Sequence, residues 1–421
     1  MKTNIRTSFV LFLSLLLFSC DDDIKHEYTI NEPIYMSTAE FKSAVKSEVS
    51  RNMEETGKIY FYGDYILVNE KFKGIHIINN TDPSNPVSEK FITIPGNIDM
   101  AVKDNMLYAD SYTDLVVIDI SDMNNISETK RFDDVFYYSL PPTNNNYRYS
   151  DIDPDKGIVV GWEVKRTSEK YQEPRFYPIY KYMANSFADS SSKNSGSNIG
   201  KAGSMARFMI IANTLYTLKS SNALNIYDIS NPNEATLNGN LHLGWGIETI
   251  FAHNNHLFFG AQQGMYIYDI SNPFAPKYVS EYSHFMSCDP VVVDDEYAYI
   301  TLRSGNWCGQ NNSQLDVVDI TNLNAPSLLK SYNMENPYGL GIDGDLLFVC
   351  DGSAGLKIYD KSDPLSIATN HLTTFTEITP YDVIPLGEIL VVISPEGLHQ
   401  YDYSDINNIQ LLSSIVIQSK D

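Results

Sequence analysis

The sequence predicts an all-β fold, a β-propeller of about seven blades, each a four-stranded antiparallel sheet, preceded by a tether and a short helix. Three observations predict it. A short apolar strand ending in an acidic or amide residue, then a turn of Ser, Asn, Asp or Pro, recurs seven times; "LNIYDISNP" (Leu224 to Pro232), "MYIYDISNP" (Met265 to Pro273) and "LDVVDITNL" (Leu315 to Leu323) are the clearest copies. The strand-end markers Asn79, Asp119, Asp228, Asp269, Asp319, Asp360 and Asp402 mostly lie roughly 40 residues apart, the length of a four-stranded blade. Within each copy the apolar residues follow the two-residue period of strands, not the 3.6-residue period of helical repeats. Single blades cannot bury both faces of their sheets, so the units are expected to pack around one axis. The terminal copies could share one blade that closes the ring.

The first element is an export signal. Lys2 and Arg6 precede an apolar run from Ser8 to Phe18 that is too short to span a bilayer. Leu17-Phe18-Ser19-Cys20 resembles a bacterial lipobox, which implies cleavage after residue 19 and lipid on Cys20; multiple acyl chains would anchor the protein to a membrane. Asp21, Asp22 and Asp23 follow, resembling the export tag of surface lipoproteins in Bacteroidetes-type bacteria. That resemblance implies an outer-membrane lipoprotein facing the cell exterior. A solvated acidic tether on the periplasmic side is the alternative.

Residues 20–56 are read as the tether. Ser37 and Glu40 have capping-box spacing, and Met36 and Phe41 suit a hydrophobic staple, so a short helix is expected to dock on the propeller. The propeller is assigned to residues 57–417. Its wide gap between Asp119 and Asp228 marks an insertion at about 137–205, which contains the aromatic and charged "KYQEPRFYPIYKYM" and a Ser/Gly-rich stretch ending in "NIGKAGS" (Asn198 to Ser204), read as slack.

The formal charge of −23 argues against nucleic acid and anionic lipid surfaces as partners, and favours a soluble, monomeric domain. Among the cysteines, Cys288 and Cys308 bracket one strand hairpin and its loop. A bridge between them would close about 20 residues and contribute roughly 3 kcal/mol on the chain-entropy model. Cys350, inside the apolar strand "LLFVC", reads as a buried free thiol.

Catalytic signatures are missing: no HExxH, no GxSxG elbow and no complete phosphate loop. Asp151, Asp153 and Asp155 alternate as calcium-loop ligands do, but Gly157 comes one place late and Trp162 stands where Glu belongs. No metal or cofactor is therefore expected. The marker acids recur too regularly for catalysis and suit turns in which the side chain accepts a backbone N–H two residues on.

The units, above all "GMYIYDISNPFAPKYVSEY" (Gly264 to Tyr282) and "GLKIYDKSDP" (Gly355 to Pro364), resemble the LVIVD-repeat family of bacterial and archaeal surface propellers. The resemblance implies fold and location, and provides no catalytic residues. The expected role is a lipid-anchored, non-catalytic binding module for a protein or glycan. A polysaccharide-active enzyme and a structural envelope component are the alternatives. A ligand would be sought at the channel mouth, where the residues just beyond the second strands, Glu70, Asp110, Lys219, Arg303, Asp351 and Ser394, are expected to form a polar ring.

Overall fold

The computed structural model describes residues 25–137, 140–170, 199–284, 290–303 and 313–417. Among these, seven sheets each contain four consecutive antiparallel strands, spanning 59–93, 100–132, 208–242, 251–283, 291–333, 340–375 and 382–416; they are blades 1 to 7 of a β-propeller. The first strand of each blade lies innermost. No described helix is long and apolar enough to cross a membrane.

The repeated turn has two physical jobs. Each marker side chain accepts the backbone N–H two residues on: Asn79 from Thr81, Asp119 from Ser121, Asp228 from Ser230, Asp269 from Ser271, Asp319 from Thr321, Asp360 from Ser362 and Asp402 from Ser404, at 2.7–3.0 Å. This local bond fixes the turn from third to fourth strand. The carbonyl at the end of the motif then serves the preceding blade. Pro273 O accepts from Tyr216 at 2.7 Å, Pro364 O from Tyr332 at 2.6 Å, and Pro83 O from Ser413 at 2.6 Å. Sheet turns thus double as staples between blades.

The apolar cores lie between blades, in a ring of successive clusters. The terminal copies do not share a blade, contrary to one sequence expectation. Closure comes from side chains: Ile384, Val391, Ile393 and Leu398 of blade 7 pack on Ile59, Ile66, Val68 and Ile78 of blade 1. Gln400 donates to Asn80 Oδ1 at 2.7 Å, and Thr56 donates to Ser394 O at 2.8 Å. Each blade already has all four of its own strands, so an exchanged strand is not needed.

The segment read as a tether is more structured than its composition suggests. Lys25–Met36 is a strand that pairs antiparallel with Ile158–Lys170 of the insertion, and Arg148–Tyr149 pairs on its other edge. The pairing supplies backbone partners that neither segment has alone. Ser37 then caps the helix Thr38–Lys42 with the expected capping box. Phe41 is buried, its ring 6.1 Å from Tyr112, and Lys42 reaches Asp114 at 2.6 Å, so the helix is docked on blade 2. Lys46–Val49 adds a strand to the outer edge of blade 1. At Asp153, the carboxylate accepts the N–H of Asp155 and caps a short 3-10 turn, as the turn reading of this cluster requires.

The Ser/Gly-rich end of the insertion is not slack where it is described. Lys201–Ala202 pairs antiparallel with the innermost strand of blade 1, Lys201 opposite Phe61 and Ala202 opposite Tyr60. Ile199 bridges Lys103 of blade 2, and the N–H of Gly200 donates to Val102 O at 3.0 Å. Lys201 donates to Pro385 O of blade 7, while Ser204 bonds Asp382 of blade 7 and Leu340 of blade 6. Residues 199–206 therefore run through the middle of the ring before entering blade 3. Small residues are needed there: a Cβ at Gly200 would stand 2.2 Å from Tyr60 Cε1 and 2.6 Å from Phe61 O. Over residues 199–204, the end of the stretch read as slack, the small residues are packed into a narrow space, and the rest of that stretch lies outside the described residues.

Candidate functional site

Two kinds of loop share one face of the ring: the connections from second to third strands within blades, and those from one blade to the next. The six residues expected to ring the mouth all lie on this face, but most are turned toward their own blade. Asp110 accepts the backbone N–H groups of Ile98 and Asp99 at 2.8 Å and the Asn97 amide at 2.9 Å. Burial pushes its carboxyl up to about 6, against those donors. Asp351 repeats the device in blade 6, accepting from Asn336 N at 2.8 Å and from Lys357 Nζ at 2.6 Å. Both carboxylates pin the loop that enters their blade.

Glu70 is fully buried and takes Lys73 at 2.6 Å, His76 at 2.8 Å and Arg51 at 3.3 Å. Burial raises its pKa, but the bonds from His76 and Lys73 and the Arg51 charge outweigh it and hold the carboxyl below its ordinary value. Ser394, also buried, donates to Gly397 O and faces His399 Nε2, both at 3.2 Å. Lys219 lies 5.8 Å from the Tyr137 ring, and Arg303 lies 4.0 Å from the Tyr338 ring. Asp110 and Lys219 line a common cleft with Tyr137 and Arg207, between blades 2 and 3.

Charged groups that do approach the axis sit one step away, at the entry to the innermost strands. Lys58 pairs with Asp99 at 2.5 Å with both side chains buried, Asp99 Oδ2 accepts the N–H of Arg207 at 2.6 Å, and Asp382 holds Ser204. Sequence reasoning missed them because it placed the ring at the far ends of the second strands. Charged residues just before or at the start of first strands, as in "GKIYFY" and "ARFMII", were the available signal. Residues 199–206 lie beside them, against blades 1, 2, 6 and 7.

Several aromatic residues are exposed or half-buried on this face. Tyr338 and Tyr381, on successive blade-to-blade loops, have ring centroids 5.6 Å apart, and Arg303 extends the row. Trp245, on the loop between blades 3 and 4, is 59% exposed, and Tyr137 is 60% exposed. The ribbon formed by Lys25–Met36 and Ile158–Lys170 leads from the docked helix beside blade 2 and exposes Tyr28, Ile34 and Val164. Its Trp162 is tied down instead, donating to Pro141 O at 2.9 Å with its ring 5.6 Å from Tyr149. Cys20, Cys288 and Cys308 lie outside the described residues; Cys350 is a buried free thiol, as expected.

The LVIVD repeat family matches residues 98–134, 212–242, 249–284 and 287–334. These segments correspond to blades 2 to 5. No curated protein matches the chain. Among solved structures, the computationally designed protein Ika8 is similar at a TM-score of 0.50 and 10% identity, over 88% of this chain and 91% of that one. A functionally unknown protein from Desulfotomaculum acetoxidans is similar at 0.48 and 10% identity, over 85% and 97% of the two chains. BamB from Moraxella catarrhalis is similar at 0.47 and 6% identity, over 80% and 79%. At such identities the likeness to Ika8 concerns the fold alone.

Proposed function

For a β-propeller that carries LVIVD repeats, we propose a role as a non-catalytic interaction module, held outside the cytoplasm by lipid on Cys20, that binds a protein or glycan through the face bearing the blade-to-blade loops. The observation that carries this reading is residues 199–206 within the ring. They take up room along the axis, where propellers offer a concave site, which supports binding on the outer surface of the loops. The outer surface of the loops remains, and there Trp245, Tyr137, Tyr338 and Arg303 are of the residue types that dominate binding energy at interfaces. The acidic charge of −23 suits a partner that is neutral or basic.

A pull-down and a glycan array with residues 24–421 test the reading. Recovery of a specific protein or glycan supports it; no ligand, together with measurable polysaccharide hydrolysis, overturns it in favour of an enzyme. The anchor is tested separately. Cys20→Ala is expected to move the protein from the membrane fraction to the soluble one and to abolish incorporation of a labelled fatty acid. An unchanged distribution would refute the lipid. Digestion of intact cells by an external protease separates the outward from the periplasmic orientation implied by Asp21 to Asp23.

A further inference from the structure

We infer that blade 4 carries a binding site for a neutral oligosaccharide, with Trp245 as its stacking platform and the cleft beside Tyr266 and Glu281 as its hydrogen-bonding wall; the inference rests on the binding-module reading above. Trp245 is an exposed indole on a fixed loop. Leu243 N donates to Asn222 O at 2.8 Å, Ile247 N to Ser221 O at 2.7 Å and Gln262 N to Gly246 O at 2.9 Å. The flanking glycines make the geometry possible. Gly246 has φ +74°, and a Cβ on Gly244 would stand 2.2 Å from Tyr266 Cζ, so the loop backbone lies directly on the Tyr266 ring. The loop therefore holds a large apolar ring in water when packing alone would favour turning it inward.

Tyr266 connects this platform to an open cleft of about 300 Å³, lined also by Gln263, Glu281, Tyr282, Ser283 and His284. Glu281 is the cross-strand neighbour of Tyr266. Two residues further along the same face, Tyr268 meets Tyr278 edge to face at 5.7 Å, and Tyr278 is 54% exposed. Trp245, Tyr266 and Tyr278 thus offer separate aromatic surfaces on blade 4 and its entry loop, with a carboxylate, an amide and hydroxyls in the cleft. That pairing matches the two surfaces of a pyranose: C–H groups that pack on an aromatic face, and equatorial hydroxyls that need acceptors and donors. Rigid Trp and Tyr rings provide such contact with little loss of side-chain freedom. The charge selects among sugars. Glu281 in the cleft and Glu248, which accepts Gln262 Nε2 at 3.0 Å near the platform, would repel uronic or sulfated units while accepting neutral hydroxyls.

The test is titration of the mature chain with four neutral probes (cellohexaose, xylohexaose, mannohexaose and maltohexaose) and one anionic probe (hexagalacturonate), followed by calorimetry and tryptophan fluorescence. At least one neutral probe is expected to bind and the anionic probe not to. Trp245→Ala is expected to raise its Kd roughly tenfold or more, and Trp245→Phe by a smaller factor. Leu411→Ala, an exposed apolar change on the outer strand of blade 7, should leave Kd within about twofold. Equal thermal midpoints for Trp245→Phe and wild type guard against misfolding. The inference is overturned if no neutral probe binds, if the anionic probe binds as well as any neutral one, or if Trp245→Ala binds like wild type. Failure here with a specific protein recovered in the pull-down leaves the module reading standing, whereas failure of both removes the two together.

Discussion

The hydroxyl of Ser204 stands 3.2 Å from the carboxylate of Asp382, joining the segment inside the ring to the first residue of blade 7. The same oxygen accepts the backbone N–H of Leu340 on blade 6 at 2.7 Å. One small side chain therefore ties two blades to a segment that belongs to neither.

Ser204→Ala is expected to destabilise the protein by about 1–3 kcal/mol, because it leaves a buried N–H and a buried carboxylate oxygen without that partner. The urea midpoint measures it. A midpoint equal to wild type would mean that the segment does not bear on blades 6 and 7.

Backbone strain gives a second prediction. Gly397 opens the third strand of blade 7 at φ +141°, with a would-be Cβ 2.1 Å from Ile415 O, whereas a Cβ at Gly239 would meet nothing within 4 Å. Gly397→Ala should cost roughly 2–4 kcal/mol, and Gly239→Ala stay within about 0.5 kcal/mol. Thermal denaturation of the pair compares them directly, and similar midpoints would contradict the geometry.

Asp110 predicts a pH dependence. Its folded value of about 6 lies above the ordinary 3.8, so its contribution to stability is full below pH 3.8 and is lost as pH rises through 6. Asp110→Asn keeps an oxygen to accept from Ile98 and Asp99 but carries no charge. Relative to wild type it should gain up to about 3 kcal/mol between pH 4 and 7.5. Urea unfolding at both pH values checks this; a parallel pH profile in the two proteins would refute it.

Thiol counting addresses the cysteines. Burial raises the Cys350 thiol well above its ordinary range, so it should resist thiol reagents in the folded protein. On the proposal that Cys20 carries lipid and the expectation that Cys288 is joined to Cys308, an Ellman titration should find no reactive thiol before unfolding and only Cys350 afterwards. Release of the Cys288 and Cys308 thiols on unfolding without reductant would refute the bridge.

The blades were legible in the sequence because each marker acts locally. Asp228 and Ser230, or Asp402 and Ser404, form their bond whatever the rest of the chain does, so the pattern survives as a readable repeat. The capping box at Ser37 and Glu40 was legible for the same reason. Long-range placement was not. Nothing within Lys25–Met36 indicates a partner strand some 130 residues away, and nothing in Gly200 and Ser204 separates small residues packed in a tight space from small residues in a flexible loop. The partners of the expected polar ring were illegible for a similar reason. Glu70 and Asp351 are polar and lie on the right face, but their partners Arg51, Lys73, Asn336 and Lys357 turn them inward, and a partner's position is a tertiary fact.

The place of the ring segment in the chain also bears on how the ring can close. The chain leaves blade 2 at Phe132, pairs Lys201–Ala202 with the innermost strand of blade 1, and only then enters blades 3 to 7. In chain order blade 7 comes after this segment, so it can close against blade 1 around a strand already in position. No end of the chain has to be drawn through a finished hole. The ring is a clasp that shuts on its own chain, and the seam between Ile393 and Ile66 is where it must reopen before that strand can be released.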